Sequence, residues 1–559
     1  MQSRNRTFGL NALDFPLALF LLSAVLGLWP AYDRSLCWPT LIALVAGFLL
    51  YGMISRLATS HRWWRAIATL IVLAGVLLSL YFVTQYAHFG YVEKVGAISR
   101  LGALIGRFVP PVPPAVLWIP ADNSVAAFLE GGLFLAVALV STEKRWAWRI
   151  GGSIGVCLIA LALLMSMTRG AWLAVLVTSV LWLAIHWRPA RVVTIAGAVL
   201  MVGLVIYIIA RHDIMALADV PVVNRILAPL FIQQGRLDMY RNSVYLIQDF
   251  AVTGIGLGEQ FAWVLSRYAL LLRHVYIAHS NNLYLEVWLE QGLLGGMAWL
   301  WMMAALYGTI RTVAKSGTDL LYQSTWLGLT AIFVHGLSDA RQYVDPWCWL
   351  PFFALLGLNA AILLRRARAA DRGPGWVFPA VAVGLFLVVM VVSLHPLRAT
   401  WYANRGCVVQ ARGDLPASLT DGQRDELRQQ AAALYRRAIQ IAPQNRTARQ
   451  RLGIMLVDEG RFDEAVEHLE IAWRADPHNT TTHKALGLAY VWVGELERAR
   501  PLLQDVPDIV YELNIWARWR ADQQQTQQAV NAYRMSLFLD PDQPGVQDQL
   551  DQLEEASAP

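Results

Sequence analysis

From residue 14 to about Leu394 the chain is a succession of apolar stretches, each close to the roughly 20 residues that cross a bilayer as a helix, and beyond that point none recurs. This pattern restricts the fold more than any motif does, because only helices and closed barrels satisfy their own backbone inside hydrocarbon. The stretches run over 14–30, 36–55, 66–86, 124–142, 149–166, 171–187, 192–210, 283–310, 320–338, 347–364 and 376–394, so a bundle of about eleven spans is expected. Two more apolar segments, 101–118 and 222–232, read as re-entrant or interfacial. Composition agrees: 56% hydrophobic residues, 15% charged and a mean hydropathy of +0.42 exclude a water-soluble globular chain. The first stretch follows Arg4 and Arg6 and is not followed by a small-residue cleavage site, so it reads as a retained span.

Charge divides where hydropathy does. Before His395 there are 28 Lys+Arg against 17 Asp+Glu, a net +11; from His395 onward there are 18 against 23, a net −5. With the N-terminus inside, the cytoplasmic loops hold Arg56, Arg62 and Arg65; Lys144, Arg145 and Arg149; Arg188 and Arg191; Arg311 and Lys315; and Arg365, Arg366, Arg368 and Arg372. Each is basic, as the positive-inside rule requires. The basic pI of about 9.1 therefore reflects loops facing anionic lipid and gives no reason to expect nucleic acid as a partner. The long outer loops are then 87–123 and 211–282, and the tail lies outside. Four scattered cysteines, Cys37, Cys157, Cys348 and Cys407, offer neither a disulfide framework nor a zinc spacing.

The tail is helical and repetitive. Leu452-Gly453, Gly460, Ala465 and Leu469 return as Leu486-Gly487, Gly494, Ala499 and Leu503 after 34 residues, with partial copies on either side. That period resembles the tetratricopeptide repeat, whose small residues let paired helices approach while each pair relies on its neighbours for a core. Such arrays bind a partner chain or organise an assembly. Asp540-Pro541-Asp542 marks a repeat boundary and is not read as a metal site. The expected fold is all-α: a polytopic membrane bundle over 1–394, with its large outer loop at 211–282, and a repeat solenoid over 395–559.

Ionisable groups at a membrane edge are costly and so are candidates for function. Arg169 lies in the short outer turn Thr168 to Gly170, where orientation does not call for positive charge. Arg236 and Arg241 lie in the outer loop, near enough for both to reach one large anion, and a guanidinium fork suits phosphate. The cluster Gly254-Ile255-Gly256-Leu257-Gly258 lacks a surrounding βαβ pattern and reads as a tight turn. His279 precedes Asn282, Glu286 and Glu290 at offsets of 3, 7 and 11, which places all four along one face if the helix begins near Ser280. Imidazole is the side chain suited to proton abstraction near neutrality. Asn123 opens the fourth span, and His335 with Asp339 closes the ninth, both at outer ends.

Met167-Thr168-Arg169-Gly170-Ala171-Trp172, the stretch from Gly235-Arg236-Leu237 to Gly258, and His279-Ser280-Asn281-Asn282-Leu283-Tyr284-Leu285-Glu286 with Gly292 and Gly295 together resemble the O-antigen ligase superfamily. That superfamily includes O-antigen polymerases and protein O-oligosaccharyltransferases, and the resemblance covers about residues 14–394. It implies a metal-independent, cofactor-free membrane glycosyltransferase of the all-helical, glycosyltransferase-C-like type in the inner membrane. The donor it implies is a glycan on an undecaprenyl diphosphate carrier, and the acceptor a hydroxyl on a glycan, lipid or protein. His279 would be the catalytic base; Arg169 and Arg236 would hold the diphosphate; and Arg241, Asp238, Asn123, Asn282, Glu286 and His335 would line the substrate site. The repeat tail departs from ligases that act on lipid A core, which leaves a polymerase as the alternative within the superfamily. A non-enzymatic scaffold for envelope assembly is the alternative outside it. A transporter would show internal repeats or broken helices, and the sequence has no such symmetry.

Overall fold

A computed structural model describes residues 11–90, 96–113, 117–211, 235–272, 277–309, 319–369 and 394–557, and among them every regular element is helical. The chain forms two compact units. One comprises Met1–Ser243, Gly254–Phe261 and Ile277–Val388; the other comprises Val244–Thr253, Ala262–Tyr276 and Val389–Pro559. The second unit thus contains two stretches of the long 211–282 loop besides the repeats.

Among the described residues of the first unit, six helices are long and apolar enough to cross a membrane: Arg34–Leu57, His61–His88, Asp122–Thr142, Trp146–Met165, Arg169–His186 and Pro346–Arg365. Their outer faces carry large exposed apolar side chains such as Ile42, Leu49, Leu70, Leu77 and Ile154. A contiguous surface of that kind is tenable against lipid and not against water. The expected spans 14–30, 192–210, 283–310 and 320–338 fall on the helices Asp14–Leu26, Arg188–Arg211, Leu283–Tyr307 and Leu320–His335. The span 376–394 lies almost wholly outside the described residues, as does the apolar segment 222–232. Within 101–118 the helix Gly96–Gly106 has 11 residues, about 16 Å at 1.5 Å per residue, too short to span.

Small residues set how closely these helices pack. A Cβ on Gly328 would stand 2.6 Å from the carbonyl of Gly131, so Asp122–Thr142 and Leu320–His335 meet backbone to backbone. A Cβ on Gly47 would stand 2.1 Å from the Phe353 ring, which seats Trp349–Ala369 against Trp38–Leu57. Around these contacts Phe20, Trp299, Phe352 and Trp349 form an aromatic core, with Trp299 5.5 Å from Phe20 and 5.4 Å from Phe352, centroid to centroid.

Two features differ from the sequence expectation. The helix Leu283–Tyr307 is broken at Gly292, whose φ of 65° and ψ of −162° only glycine adopts readily. The cluster 254–258 is more than a tight turn, because it inserts at that break. Ile255 N–H donates to the Leu289 carbonyl at 2.6 Å, Gly258 N–H to Glu290 Oε2 at 2.7 Å, and Leu257 N–H to the Gly27 carbonyl at 3.1 Å. Side chains cannot enter this packing: a Cβ on Gly254 would lie 2.7 Å from Gly292 N, and one on Gly256 2.4 Å from Ala31 Cα. Irregular backbone inside a membrane protein persists where protein satisfies it, and here a neighbouring loop replaces the missing helical partners.

In the second unit, antiparallel helix pairs follow one another: Leu394–Asp414 with Asp421–Ile441, Arg446–Asp458 with Phe462–Ala475, Thr480–Val493 with Leu496–Leu503, and Ile509–Asp522 with Thr526–Leu539. Pro544–Ser557 closes the series. The repeat glycines serve as the spacing implies. A Cβ on Gly453 would meet Leu469 at 2.6 Å and one on Gly487 would meet Leu503 at 2.6 Å, the same contact one repeat later.

The break at Gly292 yields a stability test. Gly292→Ala and Gly254→Ala each place a Cβ on a left-handed backbone, and Gly254→Ala also drives it into the broken helix. Each is expected to destabilise the protein by at least about 1–3 kcal/mol, read as a lower midpoint of thermal unfolding in detergent, whereas Gly132→Ala, where the added Cβ meets nothing within 4 Å, should leave the midpoint near wild type.

Candidate active site

Four helices begin at one end of the first unit: Asp122–Thr142, Arg169–His186, Arg236–Asp249 and Leu283–Tyr307. Their first turns are tied together by side chains. Asn123 Nδ2 donates to Asp339 Oδ2 at 2.5 Å, and its Oδ1 accepts from Thr168 Oγ1 at 3.0 Å. Arg236 donates to the carbonyl of Ser338. Asn282 Nδ2 donates to the carbonyl of Leu337 at 2.9 Å, and the Tyr240 hydroxyl lies 3.0 Å from the carbonyl of Asn281 and 3.2 Å from that of Leu337. Residues 337–339, just past the helix Leu320–His335, therefore hold three of the four directly, and the helix that Arg169 opens joins them through Thr168 and Asn123.

Each helix start is built for this. Met167, with φ 51°, turns the chain ahead of Thr168, the residue before the helix that Arg169 opens. Arg169 is exposed at that first position, where the helix dipole disfavours a cation. Gly170 has no room for a side chain, since a Cβ would stand 2.2 Å from Ser338 Oγ and 3.0 Å from the His335 ring. His335 in turn lies 3.0 Å, Nδ1 to Oε2, from Glu130, and both are buried where Gly131 and Gly328 bring their helices together.

His279 is not on a helix. Asn282 caps the helix Leu283–Tyr307, its Oδ1 accepting from Tyr284 N–H at 3.0 Å and Leu285 N–H at 3.1 Å, so the helix starts later than the offsets 3, 7 and 11 assume. His279 sits in the preceding turn, held from below: Ser280 N–H donates to Glu286 Oε2 at 2.7 Å and Asn281, at φ 55°, donates its N–H to His279 Nδ1 at 3.3 Å. Glu286 and Glu290 are buried. Of the two residues expected to line the substrate site, Glu286 thus holds the turn that presents His279, while Asn282 spends its polar atoms on the helix start and on the Leu337 carbonyl.

Electrostatically His279 belongs to the same cluster. Burial pushes its ring down to about 4; the guanidiniums of Arg341 and Arg236 act in the same direction, against the carboxylates of Asp339 and Asp345. Arg341 donates its N–H to Asp339 Oδ1 at 2.8 Å and its guanidinium lies 3.6 Å from Asp345. The structure therefore brings together Asn123, Thr168, Arg236, His279, Asn282 and His335, with Arg169 on the same turn as Thr168. Arg241 is engaged with Asp238 on its own helix, at 2.7 Å. Glu130, Arg341, Asp345 and the role of Tyr240 were not anticipated. A lone carboxylate inside the apolar run 124–142 was the available signal for Glu130; nothing in the spacing marked the others.

Comparison with known proteins finds two family matches. Residues 154–300 match the O-antigen ligase family, and residues 456–517 match the tetratricopeptide repeat. The chain therefore carries an O-antigen ligase domain followed by tetratricopeptide repeats. A TPR repeat-containing thioredoxin of Arabidopsis thaliana is 39% identical over 71 residues, which is 13% of this chain and 10% of that protein.

The burial of His279 makes a pH prediction. The unfolded chain takes up this proton near pH 6.5 and the folded protein only near 4, so the contribution to stability is complete above about 6.5 and is lost as pH falls from there to about 4. Histidine-selective NMR should place the His279 midpoint below pH 5, raised in Arg341→Ala and lowered further in Asp339→Asn. A midpoint near 6.5 in the wild type would show that the ring is solvated.

Proposed function

The chain carries an O-antigen ligase domain and tetratricopeptide repeats, and we propose that it transfers a glycan from an undecaprenyl-diphosphate carrier to an acceptor hydroxyl on the outer face of the cytoplasmic membrane. The observation that carries the reading is the convergence of four helix N-termini, two of them opened by arginine, on one polar cluster containing His279. Helix N-termini favour anions. Placing Arg169 and Arg236 at such positions opposes the dipole, and a bound diphosphate reconciles the two.

In this reading the acceptor oxygen attacks the anomeric carbon from the face opposite the carrier, forming the new glycosidic bond as the bond to the phosphate oxygen breaks. The leaving diphosphate takes the electron pair, Arg169 and Arg236 stabilise its charge, and the configuration inverts. The acceptor proton goes to His279. Its ring is neutral at working pH and so is ready to accept, but burial and, after it, two nearby guanidiniums keep it weakly basic. A diphosphate beside those guanidiniums offsets their effect and strengthens the base when the donor is present. Nδ1 takes the Asn281 N–H at 3.3 Å; for Nε2 to receive the proton, this long contact must yield, a cost of about 0.5–1.5 kcal/mol.

Asn282, Glu286, Asn123 and His335 act by position. They fix the turns that carry His279 and Arg169. Stabilisation of the leaving group by arginine requires no metal, so transfer is expected to persist in chelator.

Glycan transfer from a purified lipid-linked oligosaccharide, with and without chelator, tests the proposal. His279→Ala should lower transfer about 10²–10⁴-fold, and Arg169→Ala or Arg236→Ala about 10²–10³-fold each; lysine should restore little, since it lacks the planar fork. Undiminished transfer in all three variants would overturn the site. Transfer only onto a second lipid-linked glycan would identify a polymerase, and no transfer to any acceptor would favour the scaffold.

A further inference from the structure

The second unit is not made of repeats alone. It includes Val244–Thr253 and Ala262–Tyr276 of the long outer loop, and the repeats hold these segments in detail. Asp249, buried, accepts from Arg451 Nε at 3.0 Å and NH2 at 2.6 Å, from Arg446 at 2.8 Å and from the Thr447 hydroxyl at 3.0 Å. Arg451 is only 1% exposed, and its guanidinium stands 4.2 Å from the centre of the Tyr268 ring, so it clamps both loop segments at once. The loop backbone is also held. The Thr481 hydroxyl donates to the Ala269 carbonyl at 2.7 Å, Lys484 to the Leu270 carbonyl at 3.2 Å, and Asn404 both donates to the Asp249 carbonyl at 2.6 Å and accepts from Val252 N–H at 2.8 Å.

These contacts follow the repeat. Asn404, Thr447, Arg451, Thr481 and Lys484 all lie on the first helix of a helix pair, and Thr447 and Thr481 occupy the same position one 34-residue period apart. Successive repeats thus present equivalent side chains to successive parts of the loop, which is how an array reads an extended ligand along one face. A buried ion pair such as Asp249 with Arg451 adds little net stability over apolar packing, but losing one partner is costly, so the pair fixes one arrangement against others.

We propose that the face formed by the first helices of these repeats is a receptor for this chain's own outer loop, with Arg451 as a positioning residue. Asp249 is the last residue of the helix that Arg236 opens, and the loop ends at the turn that carries His279. Without the clamp, the segments 244–253 and 262–272 sample more conformations, and donor binding bears the cost of ordering them. The kinetic part of this inference rests on the transferase reading; the structural part does not.

The test uses the full-length protein in detergent or nanodiscs. Under limited trypsin digestion mapped by mass spectrometry, Arg451→Met and Asp249→Asn should speed cleavage within 241–272 by at least about tenfold, because cleavage tracks the population of the opened loop. The combination Tyr245→Phe with Thr481→Val removes only the hydroxyls that reach the His478 and Ala269 carbonyls and should give about two- to fivefold. This combination keeps the test valid if the charge variants disturb the repeats themselves, which cleavage within 421–557 would report. Kinetically, Arg451→Met should raise KM for the lipid-linked donor several-fold more than it lowers kcat, and Arg451→Lys should recover part of the loss. Loop cleavage at the wild-type rate in all these variants would overturn the proposal and leave the face open for an external partner. Faster loop cleavage in a protein that transfers no glycan would uphold the clamp and remove the transferase reading.

Discussion

A helix in hydrocarbon must satisfy its own backbone, and the first unit contains a place where a helix does not. At Gly292 the hydrogen-bond ladder of Leu283–Tyr307 is interrupted, leaving the Leu289 carbonyl without its helical donor. The 254–258 loop supplies one through Ile255 N–H. The same insertion binds the Glu290 carboxylate to Gly258 N–H and seats the loop against Gly27 and Ala31. Three glycines at positive φ, Gly254, Gly256 and Gly258, are needed because the loop passes within contact of neighbouring backbone. The segment ahead of the break is thereby fixed as a short helix whose N-terminal turn presents His279.

Much of this was legible in the sequence, and the reasons are physical. Hydropathy has the range of a whole helix, so the apolar stretches could be read directly. The repeat could be read because its small residues recur at a fixed period. Polar residues at the ends of apolar runs could be read because burying them is costly, and that rule singled out Asn123, Arg169, His279 and His335. It also applied to Glu130, which lies inside a span and pairs with His335.

What the sequence concealed depends on contacts between distant segments. Treating 280–290 as continuous helix put His279 on the same face as Glu286, because period alone does not reveal that Asn282 is a cap. The glycine cluster read as a turn because its partner, the break at Gly292, lies 34 or more residues downstream of those glycines. The loop segments 244–253 and 262–276 belong with the repeats through contacts such as Arg451 with Asp249, separated by 202 residues. Arg451 is buried charge within an ordinary-looking amphipathic helix, and only its partner explains it.

Asp339 offsets the positive charge gathered at this cluster. Arg236 and Arg341 bring positive charge to a place where four helix N-termini already contribute some, and without an anion their mutual repulsion would spread the helices apart. Asp339 is that resident anion: buried, accepting from Asn123 and from Arg341 N–H, and felt by His279. It also sets a limit on affinity. In the transferase reading, a diphosphate entering the cluster would gain the guanidiniums but meet the Asp339 carboxylate, which Asn123 and the Arg341 N–H hold in place. In the transferase reading proposed above, the diphosphate product has to leave after every turnover, and a fixed carboxylate among the arginines would weaken the grip on that product while leaving the arginines in position for the next donor.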